Sequence, residues 1–388
     1  MVKQERHRIF GLDVIRASAI LLVVASHWAA LVLPKTNGVI MPLFHFAGAV
    51  GVDLFFVLSG FLIGGLLLKN IQNQKTRFFD ICYFWVRRWF RTLPNYVLIL
   101  ILNIIIFYLL FDIADFRVLY YFLFLQNFAD PHPRFFTEAW SLSIEEYAYL
   151  LGPILLLVLV HLFRLKRHKA LFLWMTFLVI GLITFNRYCF YLEHDVMGYN
   201  DWTRQMRNVV IYRIDSIYFG FLAVYVSKYY EALWRRFKWT AFAFGSFLFF
   251  GMHLTTWYFH IQPQNSLLFY ALFYLPLLYI SLVFLLPVFS LWKRGGFLSS
   301  TITRLSKISY SLYLVNMSLV FIPLRYVFDV DSANLVMKIV ISILFWGLSI
   351  AVANALYNYY ETPLMAFRNH KRILKLLKQE SFENSSET

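Results

Sequence analysis

Long apolar runs recur along the chain at 12–33, 46–68, 96–111, 140–163, 170–190, 210–227, 238–258, 267–290, 308–325 and 334–360. A helix needs about 20 consecutive apolar residues to cross a hydrocarbon core of roughly 30 Å, and each run approaches or exceeds that length. The remaining residues are too few to build a soluble domain between the runs. Only 15% of the 388 residues are charged and 60% are hydrophobic, whereas soluble domains carry about a quarter and about half. The fold class is therefore an all-α polytopic membrane protein of about ten transmembrane helices.

Loop charge orients the bundle. Lys and Arg crowd the N-terminus, 69–91, 164–169 (RLKRHK), 228–238, 293–307 and the tail from Arg368, whereas the alternate loops hold Lys35, Arg117, Arg134, Arg204, Arg207 and little else. Basic loops stay in the cytoplasm, so both termini are expected there. The apolar segment 116–128 would make an eleventh span, but counting it as a crossing inverts every later basic loop. It reads as re-entrant or interfacial. Residues 1–365 form the transmembrane domain, and 366–388, ending ESFENSSET, read as a disordered cytoplasmic tail. The first run carries Arg16 and His27 and lacks a small-residue cleavage pattern, so it reads as a retained helix. The net charge of +15 is explained by topology and does not imply nucleic acid. Cys82 and Cys189 are too few for a disulfide framework, and no metal site is expected.

Ionisable groups inside apolar runs are costly and carry the functional signal. In GLDVIRASAILLVVASHW, Arg16 and His27 lie eleven positions apart, about three turns, and so share a face roughly 16 Å apart. Arg16 could snorkel beside Asp13 or serve a site, and His27 could be a satisfied core group or a base. The second run, GVDLFFVLSGFLIGG, brings Asp53 into the membrane with a strip of Ser59, Gly60, Gly64 and Gly65 suited to close helix packing. Asp53 could orient His27 or cap its own helix. In FFDICYFWVRRWFRTLP, Arg87, Arg88 and Arg91 lie on an amphipathic helix running into Pro94, with Arg88 and Arg91 on one face at a spacing that can grip phosphates. A lipid-facing interfacial helix explains the same pattern. WSLSIEEYAYLLGP contributes Trp140, Ser143, Glu145 and Glu146, and at least one of its carboxylates must face the protein interior. Arg213 and Asp215 in YRIDSIYFG could pair with each other or belong to a site, and Tyr310 in SYSLYL and Glu361 follow.

These blocks, taken in order, resemble the acyltransferase-3 family of membrane acyltransferases, in the branch that O-acylates bacterial surface glycans. Arg16 and His27 resemble the family's first-helix pair, GVDLFFVLSGFLI its second-helix signature, RRWFR its arginine pair and WSLSIEE its Trp and Glu block, while RIDSIYFG and ISYSLYL match weaker blocks. Asn316 stands where many relatives have a histidine, so no catalytic role is assigned there. The resemblance implies helices around a central cavity in the inner membrane of a bacterium. It also implies cytoplasmic acyl-CoA, most often acetyl-CoA, as donor substrate, with no permanently bound cofactor. The acceptor is the hydroxyl of an extracytoplasmic glycan or lipid-linked saccharide, and membrane lipids surround the protein. Some members carry a C-terminal SGNH-like domain; none is expected in this chain.

On this reading Arg87, Arg88 and Arg91 hold CoA phosphates, and Arg16 binds a phosphate or the thioester oxygen. His27 acts as general base, the alternative being a nucleophile that forms a transient acyl-imidazole. Asp53 or Glu145 orients it, and Trp140, Ser143, Glu146, Arg213 and Asp215 serve the acceptor side or the structure. Two rival functions stay open: a transporter or flippase of a lipid-linked saccharide with Arg16 and His27 as proton relay, and an acyltransferase acting on a small metabolite such as a macrolide.

Overall fold

A computed structural model describes residues 8–33, 38, 40–111, 116–161 and 168–367. The basic N-terminal residues, most of the RLKRHK loop and the tail from Arg368 lie outside the described residues. Within them every regular element is helical. The long helices are α1 (Phe10–Val32), α2 (Ile40–Gln72), α3 (Phe78–Phe111), α4 (Ala139–His161) and α5 (His168–Glu193). They continue with α6 (Asp215–Tyr229), α7 (Lys238–Tyr258), α8 (Phe269–Leu291), α9 (Ser299–Val327) and α10 (Leu335–Phe367). Eight of these, all but α6 and α7, are long and apolar enough to cross a membrane. The two exceptions have separate causes: α6 has 15 residues, about 22 Å of rise, and the 21 residues of α7 are diluted by Thr, Ser, Gly and His.

The inner helices are α1, α2 and α6, with α9 closing on α1. Glycine sets how closely α2 and α6 meet: a Cβ on Gly60 would lie 1.9 Å from the Ile217 carbonyl oxygen, and one on Gly220 would lie 2.4 Å from that of Val57. The small-residue strip is thus a packing device, as expected, except that Ser59 turns to a carboxylate instead. The outer side of α10 shows Leu335, Val336 and Ile343 to the surroundings, a composition suited to lipid.

Two stretches differ in detail from the sequence expectation. The arginine segment is not a separate interfacial helix: α3 runs unbroken for 34 residues through Pro94, about 51 Å of rise. Proline removes the N–H that would bond the Phe90 carbonyl, a loss that a helix packed inside a bundle tolerates, and α9 and α10 pack against this stretch. The Tyr310 hydroxyl donates to the Thr92 carbonyl at 2.8 Å and the Tyr360 hydroxyl to that of Pro94 at 3.5 Å. One continuous helix therefore aims its arginine half into the bundle. Segment 116–128 forms three short turns with Phe124 at φ 59°, so no eleventh crossing helix arises. Buried amides fasten these turns, Gln126 to Ser143 at 2.7 Å and Asn127 to the carbonyls of Trp140 and Asn208 at 3.0 and 2.7 Å.

Candidate active site

Helices α1, α2, α3 and α9 enclose a cavity of about 800 Å³ whose mouth is basic, lined by Arg8, Lys69, Lys75, Arg87 and Lys307. It narrows at Arg16, Arg88 and Arg91 into an inner chamber of about 310 Å³, which these three also line. Both volumes lie in the range of roughly 300–1,000 Å³ usual for small-molecule sites. The four arginines singled out in the sequence are thus brought together at one opening, because α1 presents Arg16 to the same space that the N-terminal half of α3 fills.

The throat arginines differ in what they hold. Arg88 donates to Glu145 at 2.6 Å and stacks over the Tyr149 ring at 4.1 Å; Glu145 also accepts from Ser59 at 2.9 Å and from the Tyr149 hydroxyl. Arg16 donates to Ser306 at 3.2 Å and lies 3.6 Å from Asp13, whose carboxylate is shared by Arg8 and Ser306. The pairing of Arg16 with Asp13 and its place in the throat coexist. Arg87 donates to Tyr83 at 2.7 Å. Arg91 makes no hydrogen bond or ion pair with the described residues, and it lines both the outer cavity and the chamber. An unpaired guanidinium in a basic mouth is a ready anion site.

His27 is half-buried and lines neither cavity. Its Nδ1 lies 2.5 Å from the side-chain oxygen of Asn316. The Asn316 amide nitrogen donates to the Leu312 and Tyr313 carbonyls at 2.7 and 2.9 Å, so the oxygen is the atom that faces the ring. An oxygen can only accept; the neutral imidazole therefore carries its proton on Nδ1 and keeps a lone pair on Nε2. Asn316 opens a π-helical stretch, Asn316–Phe321, which displaces the α9 backbone at this point.

This geometry corrects the expectation that Asp53 or Glu145 orients His27. Both Asp53 oxygens are taken, one by Arg207 at 2.9 Å and the other by Arg213. Glu145 faces Arg88 in the chamber. A buried carboxylate settles against the strongest available counter-charge, and arginine prevails over a neutral ring. Arg213 and Asp215 do not pair with each other either: Asp215 receives Arg187 at 2.5 Å, and Arg187 also donates to the Tyr212 carbonyl at 2.7 Å. Asp53, Arg187, Arg213 and Asp215 are all fully buried, so this set ties α2, α5 and the start of α6 together.

Around the chamber, Trp140 packs edge-on to Phe56 and sits 5.9 Å from the Arg207 guanidinium. Ser143 is buried and holds Gln126, and Glu146 accepts from Thr92 at 2.9 Å. Glu361 accepts from Asn95 and Ser311 at 3.0 and 2.6 Å beside the mouth. Sequence reasoning missed Arg187 and treated Arg207 as a loop charge; Arg187 lies within an apolar run, the same signal that marked Arg16. Asn316 was set aside because a family pattern has histidine there, although its position one residue beyond the block SYSLYLV could have marked it.

A family pattern described as an acyltransferase domain matches residues 9–360. The chain belongs to the acyltransferase-3 family. Among curated proteins it is similar to the peptidoglycan O-acetyltransferase OatA of Listeria monocytogenes, 32% identical over 178 residues, which cover 40% of this chain and 25% of that protein. It is also similar to the O-acetyltransferase OatA of Staphylococcus aureus, 34% identical over 170 residues, covering 40% of this chain and 26% of that one. The matched region is thus about a quarter of the length of these relatives. No solved structure matches the chain. The sequence resemblance is borne out at the level of the family, in a multi-pass membrane protein with an acyltransferase domain.

Proposed function

We propose that this chain is an O-acetyltransferase of a bacterial cytoplasmic membrane, moving an acetyl group from cytoplasmic acetyl-CoA to a hydroxyl of an extracytoplasmic glycan or lipid-linked saccharide. The observation that carries the reading is the basic mouth with Arg91, which has no partner among the described residues, tapering past Arg16 and Arg88 into a chamber suited to a slender arm. The names of the relatives supply the O-acetyl chemistry and a glycan acceptor.

Arg91 and Arg87 take the donor's phosphates. Arg88, neutralised by Glu145, stays in the throat as a fixed donor beside the pantetheine arm. Nε2 of His27 takes the proton of the acceptor hydroxyl as its oxygen attacks the thioester carbonyl. The carbon–sulfur bond breaks, the ester forms, and the imidazolium returns the proton to the CoA thiolate. Asn316 holds the tautomer that this requires. It does so with a neutral amide, as a positioning residue.

Substituting Arg91→Ala removes one charge-assisted phosphate contact and is expected to raise the donor KM by about 10- to 100-fold with kcat little changed. Initial rates with labelled acetyl-CoA in proteoliposomes check this; an equal rise in the acceptor KM would contradict it. The function itself is tested by mass spectrometry of surface glycans from a deletion strain. Loss of one acetyl substituent from otherwise intact glycan supports acetyl transfer, and loss of the exported glycan itself would replace it with transport.

A further inference from the structure

The outer cavity carries more positive charge than its own carboxylates offset. Eight cationic side chains line it against two acidic ones, Asp13 and Glu361. Arg8 and Arg16 share Asp13, and Arg88 is held by Glu145. Lys69, Lys75 and Lys307 differ, since their ammonium groups make no hydrogen bond or ion pair with the described residues. Two of them come from one turn. Helix α2 ends at Gln72, and Gln74 takes the left-handed conformation at φ 57°. The Gln74 amide donates to the Ile71 carbonyl at 3.1 Å and the Lys75 amide to that of Asn70 at 2.8 Å, the paired bonds of a Schellman turn. The chain thereby folds back and brings Lys75 to the last turns of α2, where Lys69 stands, and both residues line the cavity with Asn70 and Asn73. Lys307 joins them from α9, next to Ser306, which receives Arg16.

Arg16, Arg88 and Arg91 line both the outer cavity and the inner chamber, whereas the three lysines line the outer cavity alone. A CoA donor carries two kinds of phosphate. Its pyrophosphate joins the ribose to the pantetheine arm, and its 3′-phosphate branches from the ribose away from that arm. With the pyrophosphate at Arg87 and Arg91, the branch stays in the outer cavity. A phosphate monoester bears a charge of about −1.5 to −2 at neutral pH on three terminal oxygens, so more than one cation is needed to match it. Lysine ammonium groups, compact charges with rotatable donors on flexible stems, suit a group that turns about a single ester bond. We propose that Lys69, Lys75 and Lys307 form a subsite for the donor's 3′-phosphate and make the chain select CoA over nucleotides that lack this group. The inference rests on the proposed donor reading and adds a specificity site to it.

The test is calorimetric titration of the purified full chain in lipid nanodiscs with CoA and with 3′-dephospho-CoA, with empty nanodiscs as blank. The quantity read is the ratio of dephospho-CoA to CoA dissociation constants, in which any general weakening cancels. The native chain is expected to bind dephospho-CoA at least about tenfold more weakly, the equivalent of one charge-assisted hydrogen bond. All three lysines are exposed, so substitution by glutamine leaves the packing intact. In the combined variant Lys69→Gln, Lys75→Gln, Lys307→Gln the ratio is expected to fall to about two or less. Arg91→Ala is expected to weaken both nucleotides and keep the native ratio. Lys228→Gln, an exposed lysine outside the cavity lining, is the control for a general basic field and is expected to change neither. Equal binding of the two nucleotides by the native chain, a native ratio in the triple variant, or a ratio lowered as far by Arg91→Ala or Lys228→Gln overturns the subsite and leaves the donor reading standing. Binding of neither nucleotide by the native chain overturns both together.

Discussion

His27→Ala is expected to lower acetyl transfer by about 10²- to 10⁴-fold without unfolding the protein, since on the proposed mechanism it removes the base that takes the acceptor's proton. His27 is only half-buried and its side chain is linked, among the described residues, to a single partner, the neutral Asn316, so truncation leaves no buried charge behind. The measurement is label transfer from acetyl-CoA to acceptor glycan in proteoliposomes, with size-exclusion elution and thermal unfolding as the check on folding. A well-folded variant with native activity would remove His27 from the mechanism. Asn316→Ala separates positioning from chemistry. With His27 intact but its tautomer unsecured, kcat is expected to fall by about tenfold or more while both KM values hold, the signature of a loss felt in the transition state.

The largest stability effect is expected at Asp53. Its carboxylate lies between Arg207 and Arg213, which are nearly and completely buried, and Asp53→Ala leaves two guanidinium groups without counter-charge. Breaking a buried ion pair from one side costs about 3–5 kcal/mol. Expression and thermal unfolding in detergent are expected to show a strongly destabilised or unrecoverable protein, with Asp53→Asn, which keeps the shape and an acceptor oxygen, less affected. This separates the observed geometry from the sequence expectation. A residue that served only to orient His27 would yield a stable, inactive protein on substitution by alanine, and that result would rule out a scaffold role for Asp53.

How much of the site could be read from the chain follows from the range of the forces involved. The arginine cluster was legible because membrane depth makes each charge conspicuous and because Arg88 and Arg91 repeat at helical spacing. The pairings were not. Asp53, Glu145 and Asp215 each had several arginines within plausible reach. Which one each met depended on helix rotation and on the Gly60–Gly220 contact that sets how closely α2 and α6 approach. The continuity of α3 through Pro94 was hidden for a related reason, since the side chains that pack against this stretch, Tyr310 and Tyr360, lie more than two hundred positions away.

Composition, the length of the apolar runs and the blocks from Arg16 to WSLSIEE were sufficient to determine a helical membrane protein and its family, since hydrocarbon thickness and the need to satisfy every backbone group act on each segment by itself. Loop charge predicts the orientation on which the proposed donor side depends. Tertiary structure alone decided that His27 is held by Asn316 rather than by a carboxylate, and that Asp53 lies between Arg207 and Arg213. Those outcomes turn on contacts of a few ångströms between helices far apart in sequence, where hydrogen-bond direction and the competition among buried charges are settled only once the helices are packed.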